Sequence, residues 1–451
     1  MLLHSLSRQR LFGPRRARVS ALLLASAAVG ATLGWAAVHT RLEASVPAAG
    51  DVLTRAPQHF ELKFSGPVNA ALSSLLLVTP YGDSVSVSLR TAADERVLIG
   101  ASPELTDGNY FVLWRTVSAD GHPVSGEFEF GFAGASDETT DTEGGAGAAD
   151  VEEPPDYGVA EPEGTGAARG EATTPPAAVV LLAGLGLLCL LGFAGLLWYS
   201  GSLPLMAEPR IGRTASALGW GALFLLGAEL ARWTWAVVPA GTGLAGLAAA
   251  LGTGTGLVGL SRIGLLGLAL VFLRQSGRVA AVLALASVLL GAAAGHAATI
   301  SPGITIPANA VHLGAVSIWF GGLLLLVVAP EAPTDGSGSW QFVAVARAVS
   351  AAALLSVVLI AASGIIQSAW LVGDLEAFTG TTYGRGVLAK WMGLAVLMGF
   401  GALHRFRVMP ALERDGNGRG LRRTVRLETI VMLAVVMVAA WLARVSPPAA
   451  H

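Results

Sequence analysis

The chain has 451 residues, of which 53% are hydrophobic and only 13% charged, with a formal net charge of −2. Soluble globules carry about 25% charged residues, so a chain this apolar is not a single soluble domain, and its near-neutral balance offers no basic surface for nucleic acid. The single cysteine, Cys189, excludes an internal disulfide and any CxxC motif.

Residues 1–38 begin with Arg8, Arg10, Arg15, Arg16 and Arg18 and continue as an apolar stretch over 19–38. A basic segment followed by an apolar one predicts a secretory signal. A cut before His39 places Ala36 at −3 and Val38 at −1; a cut after Ala37 leaves Val38 ahead of His39. The stretch is also long enough to span a bilayer uncleaved.

Residues 39–133 contain short alternating runs: Phe60-Glu61-Leu62-Lys63-Phe64, Val85-Ser86-Val87-Ser88-Leu89 and Phe128-Glu129-Phe130. Ala49-Gly50-Asp51, Tyr81-Gly82-Asp83 and Thr106-Asp107-Gly108-Asn109 punctuate them as turns. Regular short strands with such punctuation predict a small all-β sandwich. Near its end lies Ser118-Ala119-Asp120-Gly121-His122-Pro123. Asp120 and His122 are two apart and project from one face if the stretch is a strand. If His39 becomes the N-terminus, its amine and ring join them, giving three nitrogens and one oxygen, a donor set that suits Cu(II). The same four residues, Asp-Gly-His-Pro, also read as a turn in which Asp120 bonds local backbone. The segment has no methionine or cysteine, so it lacks the soft sulfur that Cu(I) prefers.

This segment resembles the CopC family of periplasmic copper-binding proteins. The resemblance rests on 42–50 (LEASVPAAG), on Phe64-Ser65-Gly66-Pro67-Val68, where Gly66 replaces the usual acidic residue, and on 110–124 (YFVLWRTVSADGHPV). It implies a cupredoxin-like or immunoglobulin-like sandwich with a Cu(II) site made by the amine and ring of His39 with Asp120 and His122.

Residues 134–176 are rich in Gly, Ala, Thr, Pro and acid, with Arg169 the only basic residue. Such a segment buries too little apolar area to fold and predicts an acidic linker whose reach as a coil is roughly 35 Å.

Eight apolar segments follow, at 177–199, 214–238, 257–273, 279–299, 307–329, 342–370, 385–403 and 427–443, each a candidate helix across a core of ~30 Å. The stretch 239–256 reads as a loop or a re-entrant piece. Seven arginines between 404 and 426 predict a cytoplasmic loop. Counting back places the first helix entering from outside, as a secreted β domain requires. His296, His312, Glu229, Arg232, Arg262, Gln367 and Lys390 then fall in the outer half, and ionisable groups there usually face a cavity or a partner. They predict a polar vestibule in which His296 and His312 are metal ligands, interfacial histidines or haem ligands, and in which Glu229 and Lys390 either tune the site or pair. Met392 and Met398, and likewise Met432 and Met437, do not share a helix face, which favours core packing for them.

The segment 177–445 resembles the CopD family of copper resistance membrane proteins. The matching residues are Gly295-His296-Ala297, 309–323 (NAVHLGAVSIWFGGL) with Asn309 where Asp is frequent, Ser363-Gly364, Tyr383-Gly384, Leu388, Lys390 and Arg405. Together the two resemblances imply a YcnJ-type fusion: copper captured outside the cell membrane and carried, by import, through a multi-pass domain. Its partners are then the copper ion, the bilayer and other copper chaperones, with no enzyme activity. Two other function classes fit parts of the pattern. A histidine-brace copper oxidase would use His39, and a haem-binding electron-transfer bundle would use His296 and His312.

Overall fold

The computed structural model describes residues 40–118, 121, 123–134, 175–202, 208–294, 301–329, 339–415, 419–445 and 447–448. The signal, most of the linker, and His39, Asp120, His122 and His296 lie outside the described residues.

The β unit is a two-sheet sandwich. Strands β1 (Leu42–Val46), β3 (His59–Phe64), β6 (Leu89–Thr91) and β7 (Val97–Ala101) form one sheet in the order β1-β3-β7-β6. Strands β2 (Val52–Leu53), β4 (Ser74–Val78), β5 (Ser84–Val87), β8 (Gly108–Val117) and β9 (Pro123–Phe132) form the other, in the order β2-β9-β8-β4-β5. The predicted alternation holds: Phe60, Leu62 and Phe64 of β3 are buried, as are Tyr110, Val112 and Trp114 of β8. Between the sheets Phe64 meets Trp114 edge to face at 5.4 Å, and within the second sheet Tyr110 stacks on its cross-strand partner Phe130 at 5.3 Å. The Tyr110 hydroxyl donates to the Thr106 carbonyl at 2.8 Å and accepts from the Thr106 N–H at 2.7 Å, so the buried ring keeps its polar tip satisfied. Gly50 and Gly82 turn with φ of 82° and 86°, the left-handed region that a side chain disfavours.

The second unit is helical. Its elements are α1 (Ala177–Ser202), α2 (Pro209–Val237), α3 (Gly243–Gly252), α4 (Gly254–Phe272), α5 (Gly277–Leu290), α6 (Pro302–Val328), α7 (Ser339–Leu371), α8 (Leu375–Gly380), α9 (Thr382–Leu403), α10 (Met409–Asp415) and α11 (Arg419–Leu442). Among the described residues seven helices are long and apolar enough to cross a membrane. The fourth of the eight expected segments is the exception, a shorter apolar helix, Gly277–Ala293. Its α-helical part closes at Leu290 into a 3₁₀ turn, Gly291–Ala293, which puts it at the short end of the about 17–25 residues that span a bilayer. The ambiguous 239–256 contains the short helix α3, and Thr253 then caps α4 through a bond from the Gly256 N–H.

Helices α1 and α6 pack through glycine. A Cβ on Gly195 would meet the Ser317 carbonyl and the Gly321 backbone, and one on Gly321 would meet Gly195 in turn. The Ser317 hydroxyl donates to the Leu191 carbonyl across the same contact at 2.9 Å. Small residues that let helix backbones touch are the usual glue where no water drives association. Gly195→Val should therefore destabilise the bundle by about 1–3 kcal/mol, the usual cost of overpacking, seen as a lower unfolding midpoint in detergent.

The outward faces are apolar: Trp220, Phe224, Leu354, Leu355 and Ile365 are all exposed, as lipid-facing positions require. Met392 and Met398 join them at 65% and 49% exposure, which corrects the core packing expected of them. Their helix lies at the edge of the bundle, whereas Met432 is buried.

Candidate functional site

In the β unit the described flanks of the predicted Cu(II) site converge on one segment, 64–68. Thr40, next to His39, is buried, and the Arg41 N–H donates to Ser65 Oγ at 3.0 Å while the Ser65 N–H returns a bond to the Arg41 carbonyl at 2.9 Å. Three residues further on, Val68 bridges Ser118, the residue after β8. The connection from β8 to β9 closes at the pair Val117↔Pro123, and the Gly121 N–H bonds the Ser118 carbonyl at 2.8 Å with Gly121 at φ 88°. The chain thus brings the entry to β1 and the β8–β9 turn to the same end of the sandwich. His59, by contrast, is exposed and faces Glu61 at 3.8 Å.

In the helical unit three of the predicted vestibule residues share a cavity of ≈ 120 Å³: His312 from α6, Gln367 from α7 and Lys390 from α9. Its walls include Leu191, Trp319, Tyr383, Trp391 and Met432. His312 Nδ1 lies 3.0 Å from Ser363 Oγ, and the Ser363 hydroxyl donates to the Leu359 carbonyl at 2.6 Å. With its proton spent there, Ser363 accepts, so Nδ1 carries the ring hydrogen and Nε2 keeps a lone pair. That is the tautomer a metal-binding imidazole needs. Lys390 lines the same cavity, and in its protonated form it would meet a cation held by His312 as a like charge.

The remaining predicted vestibule groups are placed elsewhere. Glu229 pairs with two arginines, Arg232 Nη2 at 2.9 Å and Arg444 Nη2 at 2.7 Å, and does not line the cavity. Arg262 Nε donates to the Ser287 carbonyl at 3.1 Å, and the Ser287 hydroxyl donates back to the Arg262 carbonyl at 3.0 Å. Among the described residues the structure therefore resolves one expected vestibule into a cavity, a carboxylate held by two arginines and an arginine–serine pair.

A further group was not foreseen. Glu428 of α11 is 2% exposed, accepts from Trp319 Nε1 at 3.0 Å, and stands 3.2 Å from His404 Nδ1. His404 opens a π-helical turn, His404–Val408, between α9 and α10. The signal in the sequence was Glu428 itself, the one acid in the otherwise basic and apolar α11.

Residues 42–133 match the CopC domain family, and residues 343–442 match the Copper resistance protein D family, a shorter span than the resemblance over 177–445 suggested. Copper resistance protein C of Pseudomonas syringae pv. tomato is 36% identical over 104 residues, covering 21% of this chain and 81% of that protein. The chain belongs to the CopC family and carries a CopD domain. This CopC–CopD chain is also 26% identical to the Copper transport protein CutJ of Bacillus subtilis (strain 168) over 426 residues, 89% of the chain and 73% of that protein. The crystal structure of CopC from Methylosinus trichosporium OB3b is matched at 34% identity over 22% of this chain and 98% of that one, with a TM-score of 0.21. The seven apolar helices and the CopD domain make the CopC–CopD chain a multi-pass membrane protein.

Proposed function

We propose that the chain captures Cu(II) outside the cell membrane through His39, Asp120 and His122 and imports copper through its membrane domain by way of the cavity at His312. His296, six residues before the helix that bears His312, is a second membrane ligand in this reading. The observation that carries it is the His312 tautomer: a buried imidazole whose Nδ1–H is held by Ser363 presents Nε2 as a ligand beside a cavity in a chain with a copper-family domain at each end. Copper is cargo here, and the chain is read as a carrier without a chemical reaction. Copper chaperones are exchange partners at either face. Lys390 tunes the cavity by its charge, and Glu229 acts on α2 and Arg444, which secures the bundle.

The direct test is cellular copper in a deletion strain grown on scarce copper. A carrier for import leaves the strain with less copper than the parent; unchanged or higher copper overturns import. Topology has its own test. A reporter fused after Arg419 should read cytoplasmic, and one inserted within 139–170 should read extracytoplasmic. Both on one side would reject this orientation.

A further inference from the structure

The pair His404–Glu428 cannot rest as a plain imidazole facing a plain carboxylate. His404 Nε2 lies 2.7 Å from Thr424 Oγ1, and the Thr424 hydroxyl is turned to the carbonyls of Leu421 and Gly420 at 3.0 and 3.2 Å. Thr424 therefore accepts, and Nε2 carries the ring hydrogen. Nδ1 then presents a lone pair to Glu428 Oε2 at 3.2 Å. That oxygen is buried and receives no hydrogen bond among the described residues. Two facing acceptors in a membrane interior are costly. A proton on Oε2, donated to Nδ1, satisfies both.

Of the elements packed on α11, α9 contributes Lys390, which lines the cavity together with Trp319 and Met432, while its Arg385 is exposed, and α1 has no charged residue. The π turn contributes only His404, because Arg405 and Arg407 are exposed. Helix α6 contributes Trp319. On α11 itself Arg423 and Arg426 are exposed, and Arg422 donates to the Ala329 carbonyl at 2.7 Å and lies over the Phe342 ring. On α7 and α10 Arg347 pairs with Glu413 at 2.8 Å.

The pair also touches the cavity. Trp319 lines it while donating to Glu428, and Met432, one helical turn beyond Glu428, lines it too. At the other end the exposed π turn carries Arg405 and Arg407, arginines of the kind that flank a membrane span on its aqueous side, and π turns inside helices often mark working sites. We propose that Glu428 and His404 form a proton-exchange site coupled to cation occupancy of the cavity, an inference that rests on the transport reading. When copper enters, the Glu428 Oε2–H bond breaks and an Nδ1–H bond forms on His404. The imidazolium then releases a proton to water at the π turn. The pair changes from neutral to −1, offsetting one positive charge of the ion in a low-dielectric interior. No electron moves.

The test uses the purified full-length chain. In infrared difference spectra, copper(II) chloride, with and without ascorbate, should remove a carboxylic-acid C=O band that Glu428→Gln lacks from the start. Gln preserves the packing, since Oε1 still accepts from Trp319 and Nε2 can donate to Nδ1. An unchanged unfolding midpoint checks this. His404→Phe should shift the band to higher frequency, because the acid loses its acceptor. In vesicles with a trapped pH dye, copper entry should move roughly one proton per ion, by the same charge balance, and Glu428→Gln should lose that proton movement. A carboxylate already ionised without copper, or an acid band that copper leaves untouched, overturns the proton site whatever copper does. A band that responds in vesicles that carry no copper overturns the transport reading alone.

Discussion

His312→Ala should bring cellular copper down to the level of the deletion strain while Cu(II) binding by residues 39–133 stays at its wild-type value. The side chain is the imidazole of the described cavity, and the walls offer no equivalent nitrogen: Gln367 is an amide, and Lys390 is a primary amine. Removing it leaves copper without its imidazole ligand. Ser363→Ala is the graded companion. It leaves His312 in place but removes the acceptor that fixes Nδ1–H, and loss of such a partner typically costs about 10–100-fold in metal affinity. Uptake at low copper should therefore fall in the order wild type, Ser363→Ala, His312→Ala, with recovery of the serine variant at high copper. Mass-spectrometric copper content across a range of external copper checks the order. Normal accumulation by His312→Ala would take the cavity out of the pathway.

The sandwich was legible because its strands alternate and its turns carry glycine at the positions that need a positive φ, Gly50 and Gly82 among them. Within the membrane unit, depth counting placed His312, Gln367 and Lys390 together, and the three share the cavity. It could not separate them from Glu229, whose partner Arg444 is 215 residues away in sequence. Only tertiary packing sets that pairing. The His404–Glu428 pair was hidden for a different reason. The arginines of 404–426 suggest a loop, yet the chain stays helical through the π turn and α10, and α11 starts at Arg419, well before the expected 427. Glu428 therefore sits inside a helix contact, not at its rim. Charge content located the end of the bundle that carries it, but not where the helices stop.

The largest effect in the β unit should come from the N-terminus itself. The unit has its own two-sheet core around Phe60, Phe64, Tyr110 and Trp114, so residues 39–133 can be studied as a fragment with His39 as the first residue. One Cu(II) should bind. Adding a single residue ahead of His39 converts its amine to an amide and removes one nitrogen from the set, and His122→Ala removes another. If binding of a four-ligand site is worth ~10–16 kcal/mol, each ligand carries about 3 kcal/mol, or on the order of a hundredfold in Kd. Gly121→Val should act more mildly and without removing a donor. It forces a branched side chain into φ 88° between the two predicted ligands, where the left-handed region costs roughly 1–2 kcal/mol, so the turn relaxes and the donors move apart. The expected order of affinity is wild type, Gly121→Val, then the extended fragment and His122→Ala together. It is read by competition with a chelator of known affinity, with electron paramagnetic resonance counting the coordinated nitrogens. If the extended fragment and His122→Ala bind as tightly as the fragment beginning at His39, the amine and His122 are not ligands. Copper capture would then have to be sought elsewhere on the sandwich.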